Sequence, residues 1–295
     1  RALSSAASDV YKRQIYPMVG SAKESLVVRK NALTTSKWCG PTCGPVASGA
    51  DGFPMSWLRR LSTGSGTSRL ICLPYAGGGG STYEKWTTCL PPGLELWVAD
   101  LPARQRRMLE QPVDDIHVIV DALAEALDRD DKPTSLFGHS MGTLIAFELA
   151  RRLESRSRPV SCLIASGMSA PQTLSAKPAP SDAEILSDLR SHGTTPPGLF
   201  EDPELLELVM PGLRADYTMT LGYRYRAGPR LTSRVFALAG TRDSSVTNAC
   251  LVAWAEQTQA ACETRMWEGG HMYLLDRACE LAGYAVACHL KSVDG

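Results

Sequence analysis

The chain has 295 residues, 44% of them hydrophobic, which is enough to bury the core of one large α/β domain or two small ones and excludes disorder throughout. Its 31 Lys and Arg residues balance its 31 Asp and Glu residues, so no global basic field exists for nucleic acid or an anionic membrane. No apolar run approaches the roughly 20 residues of a membrane helix. Several of the nine cysteines lie in apolar runs, which favours a reduced, cytoplasmic protein.

The N-terminal segment, residues 1–54, lacks periodicity and is rich in Ser, Thr, Gly and Ala, so we expect it not to fold with the rest. Its SSAASDVYKRQ string resembles the translated end of a transposon adapter used in sequencing libraries, which predicts a non-native leader and a true start near Met55. The WCGPTCG stretch spaces its cysteines C-x-x-x-C, one residue more than a thioredoxin-like motif, so no redox role is expected. The predicted folded domain spans residues 55–295.

From Arg69 onward, short apolar runs alternate with helical patterns such as IHVIVDALAEALDR, which is typical of a parallel sheet with crossover helices. The predicted strands are RLICLPY (69–75), LELWVADL (94–101), TSLFG (134–138), VSCLIAS (160–166), RVFALAG (234–240) and ETRMWE (263–268). The roughly 65 residues between the predicted strands 160–166 and 234–240 are too many for a structureless loop. Their helical patterns predict a helical lid at about 171–227, over an end of the sheet where such folds bind ligands.

The GHSMG stretch fits the G-x-S-x-G pattern of a nucleophile elbow, in which a sharp strand-to-helix turn exposes a serine hydroxyl. Three fixed positions of common residues recur by chance roughly 0.1 times in a chain of this length, so the pattern alone is weak. It gains weight because TSLFG precedes it and TLIAFELA follows it, as the required strand and helix. Ser140 is therefore the predicted nucleophile; the alternative is a small residue that a tight turn requires.

A serine hydroxyl is a poor nucleophile unless a base accepts its proton and a third group orients that base. His271, in WEGGHMYLL, follows a predicted strand and two glycines that free the loop to turn its imidazole toward the site. The side chain of His139 should diverge from the serine and pack near the sheet. His117 and His192 are interpreted as surface or packing residues, and His289 belongs to the last helix. His271 is the predicted base.

The orienting carboxylate should follow a strand between the serine and the histidine in the chain. Asp243, in RVFALAGTRDSSV, meets this condition and leaves room for one helix and one strand before the histidine. Asp276 lies within the helix after the histidine, and Asp100 precedes the serine. The remaining candidates lie in the predicted lid, where surface charge is the ordinary explanation: Asp182, Asp188, Asp202 and Asp216.

Two backbone N–H groups are predicted to form the oxyanion hole. One belongs to Met141, the residue after the predicted nucleophile. The other belongs to Ala76, in the LPYAGGGGSTYEKW loop after the first predicted strand. Phosphate binding by this glycine-rich loop is not expected because no Lys follows Gly80 as a P-loop requires. A loop that is merely flexible is the alternative.

These motifs carry a family resemblance. LICLPYAGGGGSTYEKW, VADLPARQRRM, LFGHSMGTLIAFELARRL, ELLELVMPGLRADY, YRYRAGP, ALAGTRD and EGGHMYLL occur in the order found in type II thioesterases, the stand-alone editing enzymes of polyketide and nonribosomal peptide synthases. The resemblance covers residues 55–290 and implies an α/β-hydrolase fold with a helical lid. It also supports Ser140, Asp243 and His271 as a triad. Two residues depart from the family: Tyr75 stands where a histidine is frequent, and Ala103 where a glycine is common.

The resemblance further implies a substrate delivered as an acyl thioester on the phosphopantetheine arm of an acyl or peptidyl carrier protein. No metal or redox cofactor is expected, and the chain is expected to be a monomer. Because carrier proteins are typically acidic, Arg104 and Arg107 of ARQRR are candidate carrier contacts; an ordinary solvated loop is the alternative. The rival functions are an ester hydrolase or acyltransferase on the same fold, and a carrier-binding module without catalysis.

Overall fold

The computed structural model describes residues 56–128, 130–193, 195 and 197–293. The predicted leader at 1–54, its WCGPTCG stretch and the predicted start at Met55 lie outside these residues. In the described part of the chain, a single sheet has the strand order β1-β3-β2-β4-β5-β6-β7. Its strands are β1 (Leu58–Arg60), β2 (Ser68–Leu73), β3 (Leu94–Ala99), β4 (Thr134–His139), β5 (Cys162–Ser166), β6 (Arg234–Gly240) and β7 (Cys262–Trp267).

Parallel pairing runs through the sheet from β3 to β7, and only β1 is antiparallel to its neighbour, with Leu58 opposite Ala99. The predicted strands are confirmed, with ends that shift by one or two residues. Strand β2 ends at Leu73 because Pro74 has no N–H for the ladder. Strand β1 is not among the predicted strands, because its three residues are too few for a recognisable alternation.

The α-helices of the described residues flank this sheet or lie between β5 and β6. They are α1 (Ile116–Leu127), α2 (Met141–Ser155), α3 (Asp182–His192), α4 (Pro197–Glu201), α5 (Pro203–Leu221), α6 (Asn248–Val252), α7 (Tyr273–Asp276) and α8 (Ala278–Val293). Short 3₁₀ segments cover Gly80–Cys89, Gln105–Arg107, Pro171–Thr173 and Ala253–Gln257.

The core divides into two layers, one on each face of the sheet. On one face, α1 and α2 pack with residues such as Leu123 and Ile145, both buried completely. On the other face, α8 packs beside the 3₁₀ segment of Gly80–Cys89, which buries Trp86. A sheet covered on both faces explains why the strands read as apolar runs and not as alternating patterns.

Three helices, α3, α4 and α5, lie in the interval predicted to form a lid. Helix α3 begins with a capping box, in which Ser181 and Glu184 satisfy each other's backbone N–H groups. Helix α5 begins at Pro203, after the N-cap Asp202. The two helices share a small apolar cluster around Ile185, so the lid has a core of its own.

No helix in the described ranges is long and apolar enough to cross a membrane.

Candidate active site

Ser140 lies in the sharp turn between β4 and α2, with a φ of 53° that non-glycine residues rarely adopt. Its N–H donates to the carbonyl of Ser166 at the end of β5 (2.8 Å). The two glycines of the motif allow the close approach: a Cβ on Gly138 would lie 2.2 Å from the Gly142 oxygen, and one on Gly142 would lie 2.2 Å from the Leu73 oxygen. The glycine positions are therefore fixed by packing between strand, turn and helix.

The three side chains predicted as a triad come together at the carboxyl ends of β4, β6 and β7. Ser140 Oγ lies 3.0 Å from Nε2 of His271, and Nδ1 of His271 lies 2.7 Å from Oδ2 of Asp243. With the Nδ1 proton directed at the carboxylate, Nε2 is free to accept the serine proton. The arrangement is that of a nucleophile, its base and the group that orients the base.

Asp243 is held in its charged form by its neighbours. Burial alone would raise the pKa of this carboxyl, but the hydrogen bond and charge of His271 and two hydrogen bonds from Ser245 lower it to about 2. Ser245 donates to Oδ1 from its N–H (2.9 Å) and its hydroxyl (2.6 Å), while Oδ2 receives His271. Ser245 was not singled out in the sequence, although its place two residues after the acid is the usual one for an Asx turn.

The loop that carries His271 is tied to the loop that carries the acid. Gly240, the last residue of β6, faces the His271 loop so closely that a Cβ there would lie 2.4 Å from the Gly270 oxygen. The N–H of Arg242 donates to the carbonyl of Gly269 (2.8 Å), and Gly269 itself has a φ of 145°. These contacts fix the separation of base and acid through the backbone.

His139 diverges from the neighbouring serine and is completely buried, as predicted. Its Nδ1 lies 2.8 Å from the Ser166 hydroxyl, which lies 2.5 Å from the Tyr273 hydroxyl. Burial, reinforced by the charge of His271, lowers the pKa of His139 well below its ordinary value, so this imidazole is neutral. His139 therefore packs beside the triad histidine (ring centroids 5.3 Å apart) without adding charge.

Ala76 and Ser140 both line the cavity at this end of the sheet. Met141 is the first residue of α2, and the N–H groups of a first helical turn have no acceptor within the helix. The positions suit an oxyanion hole, but the donor roles of Ala76 and Met141 stay predictions. Tyr75, which departs from the family's frequent histidine, also lines the cavity and places its ring edge against His139.

Ala103, where the family commonly has glycine, adopts a φ of 58°. This left-handed conformation favours glycine because a Cβ crowds the following carbonyl there. At the position where the sequence departs from the family, the loop therefore adopts a conformation that favours glycine and accepts strain at Ala103.

The candidate carrier contacts Arg104 and Arg107 do not form an exposed basic patch, so this prediction is wrong. Arg107 is only 6% exposed; it donates to the Asp100 carbonyl, pairs with Glu110 and stacks over a tryptophan ring. Arg104 forms a nearly buried ion pair with Asp216. Both guanidinium groups are engaged by tertiary neighbours, which a local count of charges in ARQRR cannot reveal.

Two lid residues interpreted as surface groups lie at the site instead. Asp216 of α5 is completely buried and accepts hydrogen bonds from Arg104 and from the Gly77 N–H. His192, in the last turn of α3, places its ring 5.0 Å from that of His271 and its Nδ1 3.5 Å from Asp188. The fold of the lid brings both residues to the cavity, His192 beside His271 and Asp216 beside the Ala76 loop.

A cavity of about 440 Å³ opens onto Ser140 and His271, within the size range of small-molecule sites. Ser140, His271 and the Ala76 loop line it together with many lid residues. Apolar side chains that line it include Met108, Leu174, Leu189, Leu199, Val209 and Leu213. An apolar cavity with a nucleophile at one end suits an acyl chain whose carbonyl carbon reaches the serine.

Comparisons with known proteins agree with this geometry. The thioesterase domain family matches residues 68–285. The chain is 36% identical over 219 residues to the gramicidin S biosynthesis protein GrsT of Aneurinibacillus migulanus, a match that covers 72% of this chain and 85% of that protein. It is 33% identical over 232 residues to the thioesterase PikA5 of Streptomyces venezuelae, covering 76% of this chain and 82% of that protein.

Among solved structures, the type II thioesterase BorB from the borrelidin biosynthetic cluster superposes with a TM-score of 0.72 at 35% identity, covering 79% of this chain and 97% of BorB. The type II thioesterase YbtT of the yersiniabactin pathway superposes with a TM-score of 0.73 at 28% identity, covering 80% and 99% of the two chains. The α/β-hydrolase fold and the resemblance to type II thioesterases are confirmed. By the family match, the identities and the superpositions together, this chain belongs to the thioesterase family.

Proposed function

We propose that the protein is a stand-alone editing thioesterase, which hydrolyses acyl groups from the phosphopantetheine arm of carrier proteins in polyketide or nonribosomal peptide synthesis. The observation that carries the proposal is the hydrogen-bonded series from Ser140 through His271 to Asp243, at the end of an apolar cavity in a chain of the thioesterase family.

The first half of the reaction acylates the serine. His271 Nε2 takes the proton of the Ser140 hydroxyl as Oγ attacks the thioester carbonyl, and Asp243 stabilises the imidazolium that forms. The N–H groups of Met141 and Ala76 donate hydrogen bonds to the carbonyl oxygen and stabilise the negative charge that develops on it. When the tetrahedral intermediate collapses, the C–S bond breaks and the thiol departs with the proton from His271. A thiol has a pKa near 8.5, so its departure needs less help from a general acid than that of an amine.

The second half releases the acid. His271 removes a proton from water as the water oxygen attacks the acyl-serine, and it returns that proton to Ser140 Oγ when the ester bond breaks. Asp243 remains ionised throughout, because its pKa of about 2 lies far below any working pH. In this proposal the side chains and backbone amides supply every proton transfer and charge contact, so the reaction calls for no metal or redox cofactor.

The carrier protein is the proposed partner because the similar proteins are named for peptide or polyketide biosynthetic pathways. GrsT is named for gramicidin S biosynthesis, and BorB and YbtT are type II thioesterases of the borrelidin and yersiniabactin pathways. A cavity of about 440 Å³ has room for a short or medium acyl group beside the end of the arm, which fits removal of small aberrant groups.

Hydrolysis of a panel of acyl groups on holo carrier proteins tests the proposal, with p-nitrophenyl esters of the same acyl groups for comparison. We expect higher kcat/KM for the carrier thioesters, and loss of activity in Ser140→Ala while carrier binding persists. Preference for the simple esters would instead indicate an ester hydrolase. Undiminished thioester hydrolysis by Ser140→Ala would refute the assignment of the nucleophile.

A further inference from the structure

A buried ion pair joins the lid to the loop that follows β3 at the edge of the cavity. Arg104 follows β3, and Asp216 lies on the lid helix α5. The guanidinium contacts both carboxylate oxygens, with Nη1 2.6 Å from Oδ2 and Nη2 2.7 Å from Oδ1. The two side chains are only 11% and 1% exposed. This is a bidentate, nearly dry pair that borders the cavity.

The same carboxylate also accepts a hydrogen bond from the loop that carries the predicted oxyanion donor. Asp216 Oδ2 accepts the N–H of Gly77 at 2.7 Å, and Gly77 directly follows Ala76. Arg104 adds a contact from Nη1 to the carbonyl of Gly78 (3.4 Å). One ion pair therefore contacts two consecutive residues of the loop, Gly77 through its N–H and Gly78 through its carbonyl.

Packing confirms that the loop is pressed against α5. Gly77 has a φ of 75°, and a Cβ on it would lie 2.8 Å from the side chain of Leu213. At the preceding residue of the helix, a Cβ on Gly212 would lie 2.7 Å from the Ala103 oxygen. Helix α5 thus contacts both the Ala76 loop and the loop of Arg104 at glycine-sized separations, and Asp216 lies between them.

Stability of the fold is a poor explanation for this pair. Removing two charges from water costs several kcal/mol, and replacing a buried pair by apolar side chains is often neutral or stabilising. What an apolar replacement does not supply is an acceptor for the Gly77 N–H. The pair therefore serves mainly to hold the conformation of the Ala76 loop.

We propose that Arg104 and Asp216 are positioning residues, which hold the Ala76 N–H in the oxyanion hole through Gly77 and make the loop depend on where lid helix α5 lies. This inference rests on the proposed thioesterase function. Neither side chain takes part in the proton transfers. They act on the reaction by placing a backbone donor. That donor stabilises the negatively charged oxygen of the transition state more than it strengthens substrate binding.

The double variant Arg104→Met/Asp216→Leu tests the proposal because it removes both charges together and leaves none unpaired. The matched control is Arg214→Met/Asp182→Leu, which removes a bidentate ion pair of similar geometry on the same lid. That pair is about half exposed and does not line the cavity. The substrate is a hexanoyl thioester of N-acetylcysteamine, which reports on the site without carrier docking.

We expect kcat of the buried-pair variant to fall by roughly 10- to 100-fold, part of the 10²- to 10³-fold effect of losing one oxyanion donor, with KM within about twofold. An alkyl trifluoromethyl ketone, which forms a tetrahedral adduct on the serine, should bind more weakly by a similar factor. The control variant should keep the kcat of the parent protein. Thermal unfolding of both variants is measured alongside.

Arg104→Lys is the second variant, because it keeps the charge balance but loses the two-pronged contact. We expect a roughly 3- to 10-fold lower kcat, again without a matching rise in KM. Parent-like kcat in both the lysine and the double variant would overturn the positioning role, as would a change confined to KM. Failure of the proposed function is a separate result: the parent protein would not hydrolyse the thioester, or Ser140→Ala would retain the activity.

Discussion

Gly142→Ala is the substitution for which the structure gives the most direct expectation. A Cβ at this position would lie 2.2 Å from the Leu73 oxygen, whereas an ordinary van der Waals contact begins at 3.4 Å. Either the start of α2 or the end of β2 must therefore move by about 1 Å. Ser140 is joined to the first and the Ala76 loop to the second, so the distance between the nucleophile and the predicted oxyanion donor changes.

A misplacement of about 1 Å between reacting groups costs on the order of 10²-fold in rate. We therefore expect kcat for a small thioester to fall by roughly 100-fold. Overpacking of this kind also lowers the free energy of unfolding by about 1–3 kcal/mol. Steady-state kinetics and chemical denaturation of the same preparation measure the two effects independently.

Gly283→Ala is the control, because Gly283 lies on the exposed side of α8 and nothing is within 4 Å of a Cβ placed there. Alanine should stabilise that helix by up to about 1 kcal/mol and leave kcat unchanged. Parent-like kcat in a folded Gly142→Ala protein would refute the reasoning, since the elbow would then tolerate a shift between serine and loop.

Four further predictions follow from single side chains. Asp243→Asn should lower kcat by about 10⁴-fold, and in the parent protein the pH dependence of kcat/KM between about pH 4 and 9 should contain no ionisation of Asp243, whose pKa is about 2. Burial alone would raise the pKa of Glu95, but hydrogen bonds from Gly66, Trp97 and Lys132 lower it from 4.5 to about 2. Its stabilising effect is complete above the unfolded pKa and lost as pH falls toward 2, so Glu95→Gln should flatten the acid side of the stability curve in urea titrations. Val209→Trp should fill part of the cavity and reduce kcat/KM at least about tenfold for long acyl thioesters while sparing acetyl, in a chain-length series. Ala103→Gly should relieve the strain of a φ of 58° and raise the free energy of unfolding by about 1 kcal/mol, measured by denaturation.

The strands and the three triad positions could be predicted because their signals are local. GHSMG lies between an apolar strand and a helix, and Asp243 and His271 lie three and four residues beyond the ends of β6 and β7. In a parallel sheet the carboxyl ends of strands meet at one edge, so residues far apart in sequence converge there. The two glycine contacts of the elbow then follow from the same motif.

The lid contacts could not be predicted because their signals are tertiary. Nothing near Asp216 in the sequence shows that α5 turns this carboxylate inward toward Arg104. The position of His192 likewise depends on where α3 ends relative to the sheet, which the capping signals of the helix do not determine. The arginines of ARQRR resemble a surface patch in the sequence because their partners, such as Asp216 for Arg104, lie elsewhere in the chain.

The predictable and unpredictable contacts belong to different parts of the site. The triad is fixed by the sheet and by backbone bonds between its loops, such as the one from Arg242 to Gly269. The Ala76 loop, by contrast, donates a hydrogen bond from the Gly77 N–H to Asp216 on the lid. Changes in α5 should therefore alter the stabilisation of the oxyanion while leaving the hydrogen bonds between Ser140, His271 and Asp243 in place. In the proposed mechanism, a lid that both lines the cavity and holds the Ala76 loop links the fit of the acyl group to the rate of its removal.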